Sequence, residues 1–303
     1  MKNFLLFLFL FSFFCCKNES SKNTSSVSSD SSFLINEIKS PVGKGGEPNL
    51  FVSEDGQIYM SWVEYIDSTT DVLMFSKLDL TAKEVVNKKW SSPIEIARGN
   101  NWFVNWADFP SVVAYQNNDQ HLAAHWLQKR AAGTYDYDIY ISQSKDGGQT
   151  WYSPFIIHSD GIAAEHGFVT LLPTEDNKIF ATWLDGRNTK IGKANSDDHA
   201  DHGHGHGGAM TLRTASFDIN GKIFDEAELD HRICDCCQTT ATYIDGNPMV
   251  AYRNRSEEEV RDIFFTKKIK DKWSEPKAVH DDNWKITGCP VNGPFIDLSL
   301  IHI

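Results

Sequence analysis

The chain is 303 residues long, with 29 Lys and Arg against 41 Asp and Glu, a formal charge of −12 and a pI of about 5.3. So acidic an exterior excludes nucleic acid, and anionic lipid bound through charge, as partners. The length is ample for a buried core, and 12% aromatics suit an all-β protein and a carbohydrate binder equally.

Lys2 is followed by an apolar run from Phe4 to Phe14 and then by Cys15 and Cys16. The run is too short to span a bilayer as a stable anchor. It resembles a bacterial lipoprotein signal over residues 1–16, which implies acylation of Cys16, or else of Cys15; an ordinary signal peptide is the alternative. The Ser- and Asn-rich stretch 17–40 reads as a flexible tether. The expected location is a bacterial cell envelope, lipid-anchored at the outer membrane on its periplasmic or surface face.

Beyond the tether the chain repeats itself. Residues 47–100 carry the turn Glu54-Asp55-Gly56, the run Tyr59-Met60-Ser61-Trp62 and the element Trp90-Ser91-Ser92-Pro93. Residues 105–161 carry Asn117-Asn118-Asp119, then Ala123-Ala124-His125-Trp126, then Trp151-Tyr152-Ser153-Pro154. Residues 165–236 carry Glu175-Asp176-Asn177 and Phe180-Ala181-Thr182-Trp183. Residues 237–288 carry Asp245-Gly246-Asn247, Met249-Val250-Ala251-Tyr252 and Trp273-Ser274-Glu275-Pro276. The three Trp elements are 61 and 122 residues apart, one repeat and two. Four repeats of short strands and turns predict four-stranded blades, with a fifth beginning near Cys289.

Inside the second repeat, Ser144, Asp146, Gly148, Thr150 and Trp151 fit the pattern S-x-D-x-G-x-T-W. This resembles the Asp box of sialidase-like β-propellers. The resemblance covers residues 41–297 and implies an all-β propeller of six blades, of which about four and a half are present. An Asp box lies on the outer edge of a blade, so it identifies a fold and leaves function to other residues. Leu298 to Ile303 match the translation of a sequencing-adapter transposon end, so the gene is expected to be interrupted after Asp297.

In a propeller the loops entering each innermost strand gather round the axis. Here they would present Glu47, Asp108, Glu165 with His166, and Asp235 as a ligand rim. Arg187, Arg253 and Arg255 follow the second strands and are expected to face the same channel, where guanidinium forks bind carboxylates. Each could instead form an ordinary ion pair. Cys234, Cys236, Cys237 and Cys289 fall on the same rim. Cys236 or Cys237 can bridge Cys289 and staple blades four and five, the other pair closing a local loop or staying reduced. The alternative is a thiolate site for Zn or Cu, with His166 or Asp235 completing it. His199, His202, His204 and His206, spaced among glycines inside the third repeat, form a second, weaker chelating segment.

The functional expectation is a monomeric, envelope-anchored propeller that binds a glycan or protein at its axial rim. An exo-sialidase or related glycoside hydrolase is one alternative, with Asp108, Glu165, Arg187, Arg253 and Arg255 as catalytic candidates. Sialidases, however, carry an arginine motif near the N-terminus, and no arginine precedes Arg98. Metal handling by the cysteines and histidines is the other alternative.

Overall fold

The computed structural model describes residues 36–84, 87–190 and 208–297. They form four antiparallel sheets and one short 3-10 turn. The first sheet runs β1 (Gly45–Val52), β2 (Ile58–Tyr65), β3 (Thr70–Lys77) and β4 (Ile94–Asn100). The second runs β5 (Ser111–Tyr115), β6 (Asn118–Lys129), β7 (Tyr137–Ser144) and β8 (Phe155–Ile156). The third runs β9 (His166–Pro173), β10 (Lys178–Asp185), β11 (Thr211–Asp218) and β12 (Ile223–Asp230). The fourth holds β13 (Thr240–Ile244), β14 (Asn247–Arg253), β15 (Ile263–Ile269) and β16 (Lys272–Trp273), with β17 (Lys277–Ala278) paired beside β16 on β15. The first strands β1, β5, β9 and β13 pack one against the next, as propeller blades do round an axis.

Burial follows position within the blade. β5 is buried at every residue and β2 at five consecutive ones, because inner strands are covered on both faces by neighbouring blades. The outer strand β4 keeps an alternating pattern, with Ile96 buried and Glu95 exposed. The core therefore consists of three interfaces between blades. Leu73 and Phe75 of the first blade meet Leu122 and Trp126 of the second. Ile139 and Ile141 of the second meet Trp183 and Phe217 of the third. Phe180 and Leu212 of the third meet Val250 and Tyr252 of the fourth.

The repeated Trp element has a local cause. A buried hydroxyl on the third strand donates to the carbonyl just after the Trp: Ser76 to Ser91 at 2.6 Å, Ser142 to Tyr152 at 2.7 Å, Thr266 to Ser274 at 2.7 Å. Each clip holds the outer strand against its blade. In the Asp box, the Asp146 carboxylate accepts from the Thr150 amide at 2.9 Å and the Thr150 hydroxyl at 2.6 Å. Ser144 Oγ accepts from the Gly148 amide at 2.9 Å. Gly148 has φ of 93°, and a Cβ there would lie 2.3 Å from the Phe75 ring, so glycine is required twice over. Trp151 meets Phe75 edge-on at 5.9 Å, joining this turn to the preceding blade.

Blade boundaries agree with the repeats. Among the described residues, 279–297 form no strand, so the fifth blade expected near Cys289 does not begin there; they run back along the fourth blade, where Ile286 N–H donates to Glu259 O and Ile296 N–H to Thr240 Oγ1. Residues 1–35, 191–207 and 298–303 lie outside the described residues. The expectations for Cys15, Cys16, the adapter-like end and His199, His202, His204 and His206 fall there.

Candidate functional site

Two sets of loops reach the same face of the propeller: those entering β5, β9 and β13, and those leaving β2, β6, β10 and β14. Asp108 precedes β5, Tyr137 opens β7, and Glu165 immediately precedes β9. The three meet. The Tyr137 hydroxyl lies 3.1 Å from Asp108 Oδ2 and 3.1 Å from Glu165 Oε1. Asp108 Oδ1 accepts the Phe168 amide at 2.6 Å. Phe168 has φ of 54°, at a bulge in β9, so this bond holds a backbone turn that a bulky residue rarely adopts. Glu47 has φ of 53° at the corresponding bulge in β1 and accepts a hydrogen bond from the Tyr65 hydroxyl.

Burial sets the charge of this unit. It pushes Asp108 up to about 7 and Glu165 up to about 8, the latter helped by the neighbouring Asp108. Tyr137 is raised well above its ordinary value by burial and by the two carboxyls. At neutral pH the unit therefore retains a carboxyl proton. Glu165 is half-buried, whereas Asp108 and Tyr137 are covered, so Glu165 is the member of the three open to solvent. Tyr137 is also stacked on Phe103 at 4.2 Å. In the turn before Asp108, the Ala107 amide donates to Asn105 Oδ1 at 2.8 Å, and Trp106 projects from it with 72% of its surface exposed.

His166 does not share the rim with Glu165. Successive residues entering a strand point to opposite faces, and His166 is turned under the rim, fully buried. It stacks on His158 at 3.7 Å, among Asp138, Asp160 and Asp185. His166 Nδ1 faces two carbonyls, Tyr137 O and Ala164 O, each at 3.1 Å, so that nitrogen carries the proton and donates. Its Nε2 lies 3.3 Å from Asp160 Oδ2. Burial works against a charge on His166, but Asp160 and Asp185 outweigh it, and the ring is raised above its ordinary value. Burial and the charge on His166 push His158 down to about 4. Of the pair, His166 is therefore the one that takes up a proton first. Asp138, His158 and His166, or Asp160, His166 and Asp185, bring donor atoms close enough for a cation. The Arg187 fork already fills Asp185, at 2.7 Å to each oxygen.

The arginines expected to face an open channel are engaged within the fold. Arg187 is held by Asp185. Arg255 binds both Asp235 oxygens, at 2.9 and 2.8 Å, and Glu259. Arg253 donates to Asn292 O at 2.8 Å and to Arg261 O at 2.6 Å. Removing a guanidinium from water demands acceptors, and the chain supplies them locally. Asp235 stays at the rim as the partner of Arg255.

The cysteines do meet. Cys236 is disulfide-bonded to Cys289 across 53 residues, with Cα atoms 6.2 Å apart, tying the fourth blade to the segment that follows it. Cys234 and Cys237 are free thiols, buried, with Sγ atoms 3.1 Å apart. Arg261 Nη1 donates to Cys234 Sγ at 3.2 Å. Hydrogen bonds from Cys237 and from the Cys236 amide, and then the Arg261 charge, lower the Cys234 thiol against its burial, while Cys237 is raised as the proton holder.

Tyr137, His158 and Asp160 escaped the sequence reading, while Trp106, Asp185 and Arg261 lay in the rim loops and strand ends but were given no role. Asp185 alone had a signal, since Trp62-Val63-Glu64 and Trp183-Leu184-Asp185 repeat a Trp-x-acid pattern in which the indole donates to the carboxylate.

No family model and no curated protein matches the chain. Among solved structures, it resembles a protein of unknown function from Dyadobacter fermentans, at 11% identity and a TM-score of 0.51, over 80% of this chain and 71% of that one. It also overlays an α-L-arabinofuranosidase of Fusarium graminearum at 13% identity and a TM-score of 0.47, over 84% of this chain and 68% of that one. A bat-derived neuraminidase-like protein from Guatemala gives 9% identity and 0.43, over 76% and 53%. Likeness at such identities is likeness of fold. The chain is a β-propeller built of antiparallel blades, three of four strands and a fourth whose outer edge is shared by two short strands.

Proposed function

We propose that this propeller is of the sialidase-like kind and binds a hydroxyl-rich ligand, a glycan, at the rim that exposes Glu165 and Trp106, with the buried Asp108 and Tyr137 holding Glu165 from behind. The observation that carries this reading is the half-buried Glu165, held protonated at neutral pH and joined through Tyr137 to Asp108, whose loop carries Trp106 with 72% of its surface exposed. A neutral carboxyl both donates and accepts, as a sugar hydroxyl does, and an indole face covers the apolar face of a sugar ring. Lipidation at Cys16 would place this rim at the cell envelope.

Calorimetry or array binding with a panel of soluble glycans tests the reading. Trp106→Ala is expected to abolish binding, and Glu165→Gln, which keeps a neutral donor and acceptor, to retain more of it than Glu165→Ala. Wild-type binding should fade as pH rises through about 8, where Glu165 loses its proton. Failure of the wild-type chain to bind any glycan in the panel, or binding indifferent to Trp106 and Glu165, would count against it.

The same proton supports a second reading, cleavage of a glycosidic bond with Glu165 as general acid. In that reaction Asp235, which acts on Glu165 across the rim, is the candidate second carboxylate. Tyr137 is fully buried, so a sialidase-type tyrosine nucleophile is not available at this position. Release of free sugar on incubation, lost in Glu165→Gln, would separate turnover from binding alone.

A further inference from the structure

Behind the rim, in the loop entering β13, sulfur atoms gather more closely than one disulfide requires. Cys234 Sγ lies 3.1 Å from Cys237 Sγ and 3.9 Å from Cys236 Sγ, and Cys236 carries Cys289 with it. Three sulfurs, of buried Cys234 and Cys237 and half-buried Cys236, thus lie within 4.8 Å of one another, and the disulfide holds the exposed Cys289 of a separate segment against the outer one. Tetrahedral zinc thiolate sites hold sulfur about 2.3 Å from the metal, which spaces the sulfurs by roughly 3.8 Å. The observed separations bracket that spacing.

The charges around the sulfurs are a second and independent observation. Arg253 is only 8% exposed, yet among the described residues it has no ion pair with a carboxylate. Its guanidinium is satisfied by carbonyls, covered by the Trp284 ring at 4.7 Å, and acts on Cys237. Arg261 pairs with Glu259 but turns its remaining fork nitrogen to Cys234 Sγ. A buried cation without an anion is costly. A disulfide is neutral and offers Arg253 nothing, whereas a thiolate cluster supplies the missing charge.

We propose that Cys234, Cys236, Cys237 and Cys289 form a redox-gated site for a thiophilic divalent ion of zinc's class. The disulfide form of the chain is its closed state. Opening takes two electrons from a dithiol reductant, which leaves as a disulfide while Cys236 and Cys289 become thiols. Binding of the ion then expels the protons still held on the four sulfurs. Re-oxidation of Cys236 and Cys289 returns two electrons to a disulfide acceptor and releases the ion.

The test uses the chain reduced with a phosphine and loaded with Co2+ or Zn2+. One Co2+ per chain should give sulfur-to-cobalt charge-transfer and tetrahedral d–d bands. Zn2+ should displace it and shield all four thiols from alkylation until a chelator is added. The wild-type readout follows thiols directly, so metal held by histidines elsewhere does not imitate it. Arg253→Met should weaken Zn2+ binding by about 10- to 100-fold, the usual cost of losing an outer partner, while circular dichroism stays that of the wild type. Free alkylation of the four thiols with the ion present, or cobalt bound without thiolate bands, would overturn the proposal. So would an unchanged affinity in Arg253→Met for the role of the arginine.

Discussion

The buried carboxyl of Asp108 makes a pH-dependent contribution to stability that can be isolated by one substitution. Its folded-state value, about 7, stands above the ordinary value of 3.8. The folded chain thus binds a proton that the unfolded chain has released, and the stability so gained is present at low pH and lost as pH rises towards and through 7. Between about pH 5 and about pH 9 only the two units below 7 count, which at 1.36 kcal/mol per unit is about 3 kcal/mol. For a chain of this size that is a fall in Tm of roughly 5 °C. Asp108→Asn keeps an acceptor for the Phe168 amide and a polar group facing Tyr137, and removes the titration. The assay is thermal or urea unfolding of both proteins across this range. His158 and His166 titrate in each, whereas Glu165, which the Asp108 charge helps to raise, moves down in the variant, so the difference between the two curves belongs to Asp108 and its coupling to Glu165. Parallel curves would show that Asp108 is ionised in the folded state and would refute the argument from burial.

Two further substitutions test the frame. Gly148→Ala places a methyl group against Phe75 at a positive φ, and should cost about 1–3 kcal/mol in urea unfolding; no loss would mean that the Asp-box turn is not pinned to the neighbouring blade. Cys289→Ser, compared with the oxidised wild type, opens a 53-residue loop and should cost about 4 kcal/mol by loop-closure entropy. An equal midpoint would show that the bridge does not constrain the unfolded chain.

What could be read in the residues was the periodic part. Trp62, Trp126, Trp183 and Tyr252 recur because each second strand packs a large ring between blades, and a repeat of packing is a repeat of sequence. Asp108 and Glu165 were legible for the same reason: they stand where blades two and three enter their first strands. Tyr137, which joins them, was not, because it opens a third strand and its role depends on two neighbours distant in the chain. His166 was read on the correct loop but the wrong side of it, a matter of strand phase that a single residue decides. Arg187, Arg253 and Arg255 were placed at the correct ends of their strands. Their internal partners could not be foreseen, since Asp185, Asp235 and the carbonyl of Asn292 come together only by folding.

The interfaces between blades also set how damage spreads. The third sheet contributes to two hydrophobic clusters, through Trp183 and Phe217 on one side and Phe180 and Leu212 on the other. A lesion in β10 therefore loosens both neighbours, whereas one confined to β4 reaches only the second blade, through Ile96. Cooperativity of this kind is passed from each blade to its neighbour, and its strength varies from place to place along the chain.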